Sequence, residues 1–535
     1  MPKNLKNFWV SLFFLIGIFL PNAYSAVDAQ QQEVKANSLL AQHTPVLNYI
    51  QKTWPTLTRS HAQLLQAAID PKLIPSPQKW IVYIPTQESL SRISTELKTQ
   101  MSSDDFQKIV LKKLPADINH VPPGLLYLPY PYVVPGGMFN EMYGWDSYFI
   151  ILGLLKSQQI TLAKNIVDNF IYEIIFYGKI LNSNRTFHLE RSQPPLLTEM
   201  ILAVYDKTQD KNWLKSTLPA IEKFYTYWIT PPHLISELGL SRYYAEGKGP
   251  AYEVTMPDKL TGKLFYNEVK NYYRQYPVSD YDVNLYYNKE KNQLTEFYYI
   301  NDRTLRESGF DLTGQYGAFG AMITDYAPVT LNSLLYKMEV DTQKIYTLLG
   351  DLNQAQIWQQ RAKKRAALMN RYLWDNMTGY YFDYNFKTKQ TRPYIDASTF
   401  YPLWAGVASS EQAKRIVENL PALETHCGVV TSRYVTHMQW DAPYGWAPLQ
   451  YFAVTGLANY GYDNDARRIA QKWNHLIDED FAKHGKIVEK YDLYRCSSEL
   501  TIRYGYSSNE AGFGWTNGVY LFFRDFLNPG RDQLQ

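Results

Sequence analysis

Apolar residues recur at three- and four-residue spacing through most of the chain, and that period marks helices with one buried face. It runs through Phe149–Ser157, Ile160–Tyr177, Pro195–Thr208 and Trp213–Ile229. It returns over Leu331–Leu373, where Ile345, Leu348, Leu349 and Leu352 lead into Trp358, Ala362, Ala366 and Met369. The same spacing predicts helices over Glu411–Glu418, Ala447–Asn459, Asp463–Ile477 and Gly518–Phe526. Nearer the N-terminus, Gln30–Arg59 reads as a polar lead-in and a first helix, which His61–Ala68 continues. Asp70-Pro71-Lys72 ends it, because proline removes a donor and disfavours helix before it. Ser89–Leu114 is helical in pattern, whereas Trp80–Ile84 alternates, as a short strand or an extended arm. Gly379–Tyr384 reads as a short hairpin edge. Sustained strands are almost absent and no composition break marks a second domain, so the pattern describes one mostly α domain, compatible with a closed ring of helix hairpins.

Arg242–Tyr299 interrupts this order with a stretch rich in Tyr, Asn and Lys and without clear period. It is long for a structureless connection, which makes it a functional lid or an embellished excursion between helices. Hydrophobic content of 45% with 20% charged residues is that of a globular chain able to bury a large core. A net charge of +3 with no basic stripe argues against nucleic acid as a partner. Aromatics reach 15%, dominated by 45 Tyr, whose apolar face and polar tip suit either a helical core or a polyhydroxylated ligand.

Lys3 and Lys6 precede an apolar stretch, Phe8 to Leu20, and Ala23-Tyr24-Ser25 follows with small residues at cleavage-site positions. Residues 1–25 therefore read as a signal peptide, and the expectation is an exported protein, periplasmic or secreted, with no stable membrane insertion after cleavage. Residues 26–69 form an N-terminal extension and first helix ahead of the main domain, 70–535. Cys427 and Cys496 are equally compatible with a disulfide and with two free buried thiols. The nine histidines show no ligand spacing, so no metal is expected.

The chemistry concentrates in loop segments that mix carboxylates, amides and aromatics. Pro135–Tyr148 (PGGMFNEMYGWDSY) sets Phe139, Glu141, Trp145 and Asp146 beside a Pro-Gly-Gly turn. Glycine allows close approach of a backbone to a ligand, and acceptors beside a flat aromatic suit a sugar, with hydroxyls at its rim and C–H bonds on its faces. Asn182–Pro195 offers Arg191 and Gln193 before a Pro-Pro that starts a helix. In Arg306–Gly317, Gly309 and Gly314 bracket Asp311, and Phe310 supplies apolar surface of the kind that raises a carboxyl pKa toward a general acid's. Gln439–Gln450 places Trp440 and Trp446 beside Asp441. Glu489, in Lys486–Asp492, lies between apolar and charged neighbours and is a candidate base.

Together these stretches resemble the trehalase family of inverting glycoside hydrolases, which split α,α-trehalose into two glucoses. PGGMFNEMYGWDSY and QWDAPYGWAPLQ are similar to that family's two signature regions. Asn182–Pro195, ESGFD, Leu331–Tyr336, GYYFDY, EKYD and GFGWTNG follow in the family's order, over roughly Asp70 to Phe526. The resemblance implies an all-α (α/α)6 barrel with its active site on the loops at one end. It also implies Asp311 as general acid, Glu489 as general base, and Phe139, Trp145, Asp146, Asn182, Arg191, Glu253 and Trp440 as sugar-contacting positions, beside which Gln193 of the same loop as Arg191 stands as a further candidate contact. In inverting hydrolysis the acid protonates the bridging oxygen while the base activates water on the opposite face of the ring, and no metal or cofactor takes part.

The chain departs from the family's pattern in the pocket itself. Met138 stands where the family has Arg, and Tyr444 where it has Asn. Tyr506 falls where a Glu precedes GFGW, with Glu510 near enough in sequence to substitute as a sugar contact. Phe310 and Gln315 replace Trp and Arg around Asp311. Losing a charged contact to a bound sugar costs about 1.5–3 kcal/mol. Two alternatives thus stand beside trehalose hydrolysis: a related α-glucosidase of altered specificity, and a non-catalytic sugar binder.

Overall fold

A computed structural model describes residues 44–73, 76–118 and 121–529. The chain divides into two units, Met1–Asn48 and Tyr49–Gln535. Of the first, only 44–48 are described, and they are helical; the leader residues read above as a signal peptide lie outside the described residues. The second unit holds everything that follows.

Among the described residues its core is a closed ring of six inner helices, the first five each followed by an outer one. The pairs are α1 (Asp146–Lys156) and α2 (Ile160–Tyr177), α3 (Leu197–Thr208) and α4 (Lys211–Trp228), and α5 (Val329–Leu348) and α6 (Leu352–Tyr372). Then come α7 (Tyr401–Ala405) and α8 (Ser410–Glu418), α9 (Ala447–Asn459) and α10 (Asp463–His484), and α11 (Gly514–Leu527). In the ring α1 packs on α3, α3 on α5, α5 on α7, α7 on α9, α9 on α11, and α11 back on α1. Beside α1, the helical residues 49–57 put the Trp54 indole N–H 3.1 Å from Ser157 and the Tyr49 ring 5.2 Å from Phe481 of α10. This is the (α/α)6 barrel that the helical period and the family resemblance imply.

Inner and outer helices differ in sequence as their positions require. α1 and α9 are apolar nearly all round and buried nearly throughout. α10 buries Ala466, Ile469, Ala470, Trp473, Leu476 and Ile477 at helical spacing, together with Asp478 and Asp480, and turns Asp463, Arg468, Glu479 and Lys483 outward. The interior also carries charge: Lys337 of α5 pairs with Glu199 of α3 and with Asp341. Tyr148 of α1 donates to Glu199 at 2.9 Å and meets Tyr451 of α9 at 2.6 Å. A half-buried ammonium is tolerable here because its partners are fixed by packing on both sides.

Ring closure depends on two glycines. A Cβ on Gly518 of α11 would lie 1.9 Å from the Phe149 carbonyl oxygen, and one on Gly153 of α1 would lie 2.7 Å from the Gly518 Cα. The two backbones meet with no side chain between them.

The structure amends the sequence reading in three places. Ser89–Leu114 is not one helix: Leu90–Gln100 and Ser103–Gln107 are helical, but Ile109–Lys113 is a strand. This strand, β2 (Ile109–Lys113), joins β1 (Trp80–Ile84) and β3 (Leu125–Leu126) in a three-stranded parallel sheet with β1 in the middle. Tertiary pairing with β1, which no local period signals, decides this segment. Leu331–Leu373 breaks into α5 and α6 at Gly350, where φ is +84° and Asp351 caps the next helix. Arg242–Tyr299 contains a helix, Phe265–Gln275, with short turns and two-residue strands, and leads into a further helix, Glu296–Glu307, that delivers Arg306 and Asp311. Cys427 and Cys496 are joined in a disulfide.

Replacing Gly518 by Ala forces α11 away from α1; by the cost of overpacking a rigid contact it should destabilise the protein by about 1–3 kcal/mol or more, read as a lowered thermal midpoint beside a control Ala placed on the exposed face of α10.

Candidate active site

The segments that lead into the inner helices converge at one end of the ring around a cavity of about 620 Å³. Asp311, Glu489, Phe139, Trp145, Asp146, Asn182, Arg191, Gln193, Glu253 and Trp440 all line it. Glu510 does not: its carboxylate accepts the Met138 N–H at 3.0 Å, and it packs so closely on the Pro-Gly-Gly turn that a Cβ on Gly137 would collide with it. Gly137, with φ of +57°, is thus required twice, for its backbone angle and for Glu510.

Asp311 follows helix Glu296–Glu307 through Gly309, whose φ of +79° and close approach to the Trp145 ring leave no room for a side chain. Gln439 donates its amide to the Asp311 carbonyl. Asp441 accepts from Gly314 N–H at 2.8 Å, Tyr394 O–H at 2.8 Å and Ser432 O–H at 2.8 Å, tying the segment after Asp311 to the Trp440 loop. The Asp311 carboxyl lies 3.4 Å from Arg306. Burial pushes its pKa up to about 6, with Glu253 adding to the rise and Arg306 and Arg191 opposing it. Such a group still holds its proton in mildly acidic solution.

Glu489 sits at the start of β5 (Lys490–Asp492), which pairs antiparallel with β4 (Tyr444–Trp446). Its carbonyl accepts the Trp515 indole N–H at 2.9 Å, so the backbone is held as well as the side chain. One carboxylate oxygen lies 3.1 Å from Lys490 Nζ, and the other accepts the Tyr506 hydroxyl. Glu489 is 2% exposed; burial raises its pKa while Lys490 and Tyr506 pull it back. Asp146, the first residue of α1, is raised well above the usual carboxylate range by burial, with Glu489 and Asp311 contributing.

A second group of charges forms one wall. Arg191 pairs with Glu253 and, at 2.8 Å, with Glu190. Although burial works to raise Glu253, Arg191 and His188 beside it hold its carboxyl well below the ordinary range. Asn182 spends its side-chain N–H groups on the Ser192 and Arg306 carbonyls, both at 3.2 Å, and Gln193 accepts the Trp145 N–H at 2.9 Å. Trp145 and Trp440 form an aromatic wall, with Phe310 packed against both and Trp440 stacked on Trp446 at 4.0 Å and parallel planes.

Several lining residues have no individual signal in the sequence. Arg306 opens the Asp311 stretch, and nothing in that stretch singles it out. His188 lines the wall with Nδ1 2.6 Å from Ser183 Oγ, and burial pushes its imidazole down to about 4, so it is neutral above that. Tyr506, Met138 and Phe513 also face the cavity. Of the departures noted in the sequence, Tyr444 donates to the Thr501 carbonyl at 2.6 Å and Gln315 to Asp383 at 2.9 Å, and neither lines the cavity. Met138 and Tyr506 do.

The trehalase family model matches residues 21–528. The chain belongs to the trehalase family. It is 39% identical over 439 residues to a cytosolic neutral trehalase of Kluyveromyces lactis, covering 75% of this chain and 57% of that protein. It is 33% identical over 592 residues to a cytosolic neutral trehalase of Neurospora crassa, covering 96% of this chain and 78% of that one. The structure of neutral trehalase from Saccharomyces cerevisiae superimposes with a TM-score of 0.77 at 31% identity, over 91% of this chain and 94% of that chain. The chain thus spans little more than half of the Kluyveromyces trehalase. These trehalases also correct one expectation. Residues 1–25 read as a signal peptide and predict an exported, periplasmic or secreted enzyme, whereas both of these relatives are named cytosolic. Export is therefore withdrawn.

Arg306→Gln removes the cation that opposes burial at Asp311. The Asp311 carboxyl should then titrate about one pH unit above its present value near 6, followed by its ¹³C shift against pH and assigned with Asp311→Asn.

Proposed function

We propose that this trehalase-family chain hydrolyses α,α-trehalose to two glucose molecules with inversion, Asp311 serving as general acid and Glu489 as general base. The observation that best supports the reading is the pairing of two unlike carboxyl environments in one aromatic-walled cavity. Asp311, pushed to about 6 by burial, keeps a proton to deliver to the bridging oxygen. Glu489 faces a buried ammonium and a hydroxyl donor, both of which favour the ionised form that can draw a proton from water. Protonation makes the leaving glucose a neutral alcohol, and water arrives at the anomeric carbon from the opposite face. Phe139, Trp145 and Trp440 offer flat apolar surface to the sugar faces, and Asp146, Asn182, Arg191, Gln193 and Glu253 offer donors and acceptors to the hydroxyls. Glu510 enters this scheme through the backbone it holds at Met138.

Purified protein is incubated with trehalose, maltose and other α-linked disaccharides, and glucose is followed by proton NMR. Trehalose should yield one β- and one α-glucose before mutarotation. Asp311→Asn and Glu489→Gln should each lower kcat by about 10²–10⁴-fold. Turnover of another disaccharide alone would make the chain an α-glucosidase of different specificity, and tight binding without product would make it a sugar receptor.

A further inference from the structure

Tyr506 belongs to neither the acid–base pair nor the expected sugar contacts, yet its hydroxyl reaches the base directly. We propose that Tyr506 is a positioning residue for Glu489, donating its O–H to one carboxylate oxygen so that the other oxygen, facing Lys490, is held in a fixed orientation toward the cavity. The proposal rests on the reading of Glu489 as general base.

The geometry supports a dedicated contact. Glu489 Oε1 accepts the Tyr506 hydroxyl, and Glu489 Oε2 lies 3.1 Å from Lys490 Nζ. Lys490 Nζ in turn sits 3.7 Å from the centre of the Tyr506 ring, so ring, ammonium and carboxylate form one closed group. The ring also meets Phe139 edge-on at 5.6 Å. The segment that carries Tyr506 is fastened on both sides. Ser507 gives its N–H at 3.0 Å and its hydroxyl at 2.6 Å to Asp258, and Asn509 donates to the Lys490 carbonyl at 3.0 Å. Burial pushes the Tyr506 phenol well above its ordinary value, and it stays a donor through the working range.

The other charged groups around Glu489 are Lys490 on its own strand, Glu510 from the segment that ends at Gly512, and Asp146 and Asp311 across the cavity. Lys490 and Tyr506 favour the ionised carboxylate; Glu510, Asp146 and Asp311 oppose it when charged. Removing the Tyr506 hydroxyl therefore raises the pKa of the base, and the acidic limb of kcat/KM, which reports the base in the free enzyme, moves to higher pH.

The test compares the full-length protein with Tyr506→Phe, which keeps the ring that Phe139 and Lys490 pack on. The acidic limb of kcat/KM for trehalose should rise by about one pH unit, the loss expected for a hydrogen bond to a charged group, with KM changed less than about twofold. A second variant carries 3-fluorotyrosine at 506, which preserves shape and makes the phenol a stronger donor; its acidic limb should move the other way. An acidic limb that stays in place in both variants while KM rises would make Tyr506 a sugar contact and overturn the proposal. Failure of the underlying reading looks different: the parent would release no glucose from trehalose, or Glu489→Gln would keep its activity.

Discussion

The contact that everything else depends on is the crossing of α1 and α11 at Gly153 and Gly518. It joins the first inner helix of the ring to the last, helices more than 350 residues apart in sequence. Only with the ring closed do the segments entering α1, α3, α9 and α11 face one another, and each brings part of the cavity. The Phe139–Asp146 turn enters α1, the Asn182–Gln193 loop enters α3, the Trp440 loop enters α9, and the stretch from Tyr506 to Trp515 enters α11. Loops on a rigid scaffold can hold chemistry in place because the scaffold carries the stability.

Within that cavity the governing constraint is desolvation. Burial raises every carboxyl it encloses unless a cation or a donor compensates. Asp311 is compensated only in part and rests near 6; Glu253 is overcompensated by Arg191 and His188 and stays ionised. Glu489 is raised by burial as well, with Lys490 and Tyr506 offsetting part of the rise. One physical effect, balanced differently from place to place, thus raises two carboxyls and leaves a third depressed within a single pocket.

The departures from the family's pattern fall into two kinds once the side chains are in place. Tyr444, Gln315 and Phe310 change the supporting structure: the first two hydrogen-bond outside the cavity, and Phe310 packs on Trp440 at 4.9 Å. Met138 and Tyr506 change the cavity surface itself. Glu510, near Tyr506 in sequence, serves the backbone at Met138 instead of the cavity. Proximity along the chain was a poor guide there, because the stretch from Tyr506 to Glu510 is irregular and its side chains follow no fixed period.

Whatever depends on local pattern could be read from the residues alone. The helical period located nearly all the ring helices, because a buried stripe must repeat with the helix turn. The motif stretches in their order identified the family and the barrel. The order of neighbours around the ring, the strand at Ile109–Lys113, the joining of Cys427 to Cys496 and the delivery of Arg306, His188 and Tyr506 to the cavity were decided by tertiary structure. Each of these depends on the meeting of residues far apart in the chain, and a period or a motif carries no information about such meetings. The protonation tendencies of Asp311 and Glu489 belong with them, since they are set by enclosure and by neighbours brought from other segments.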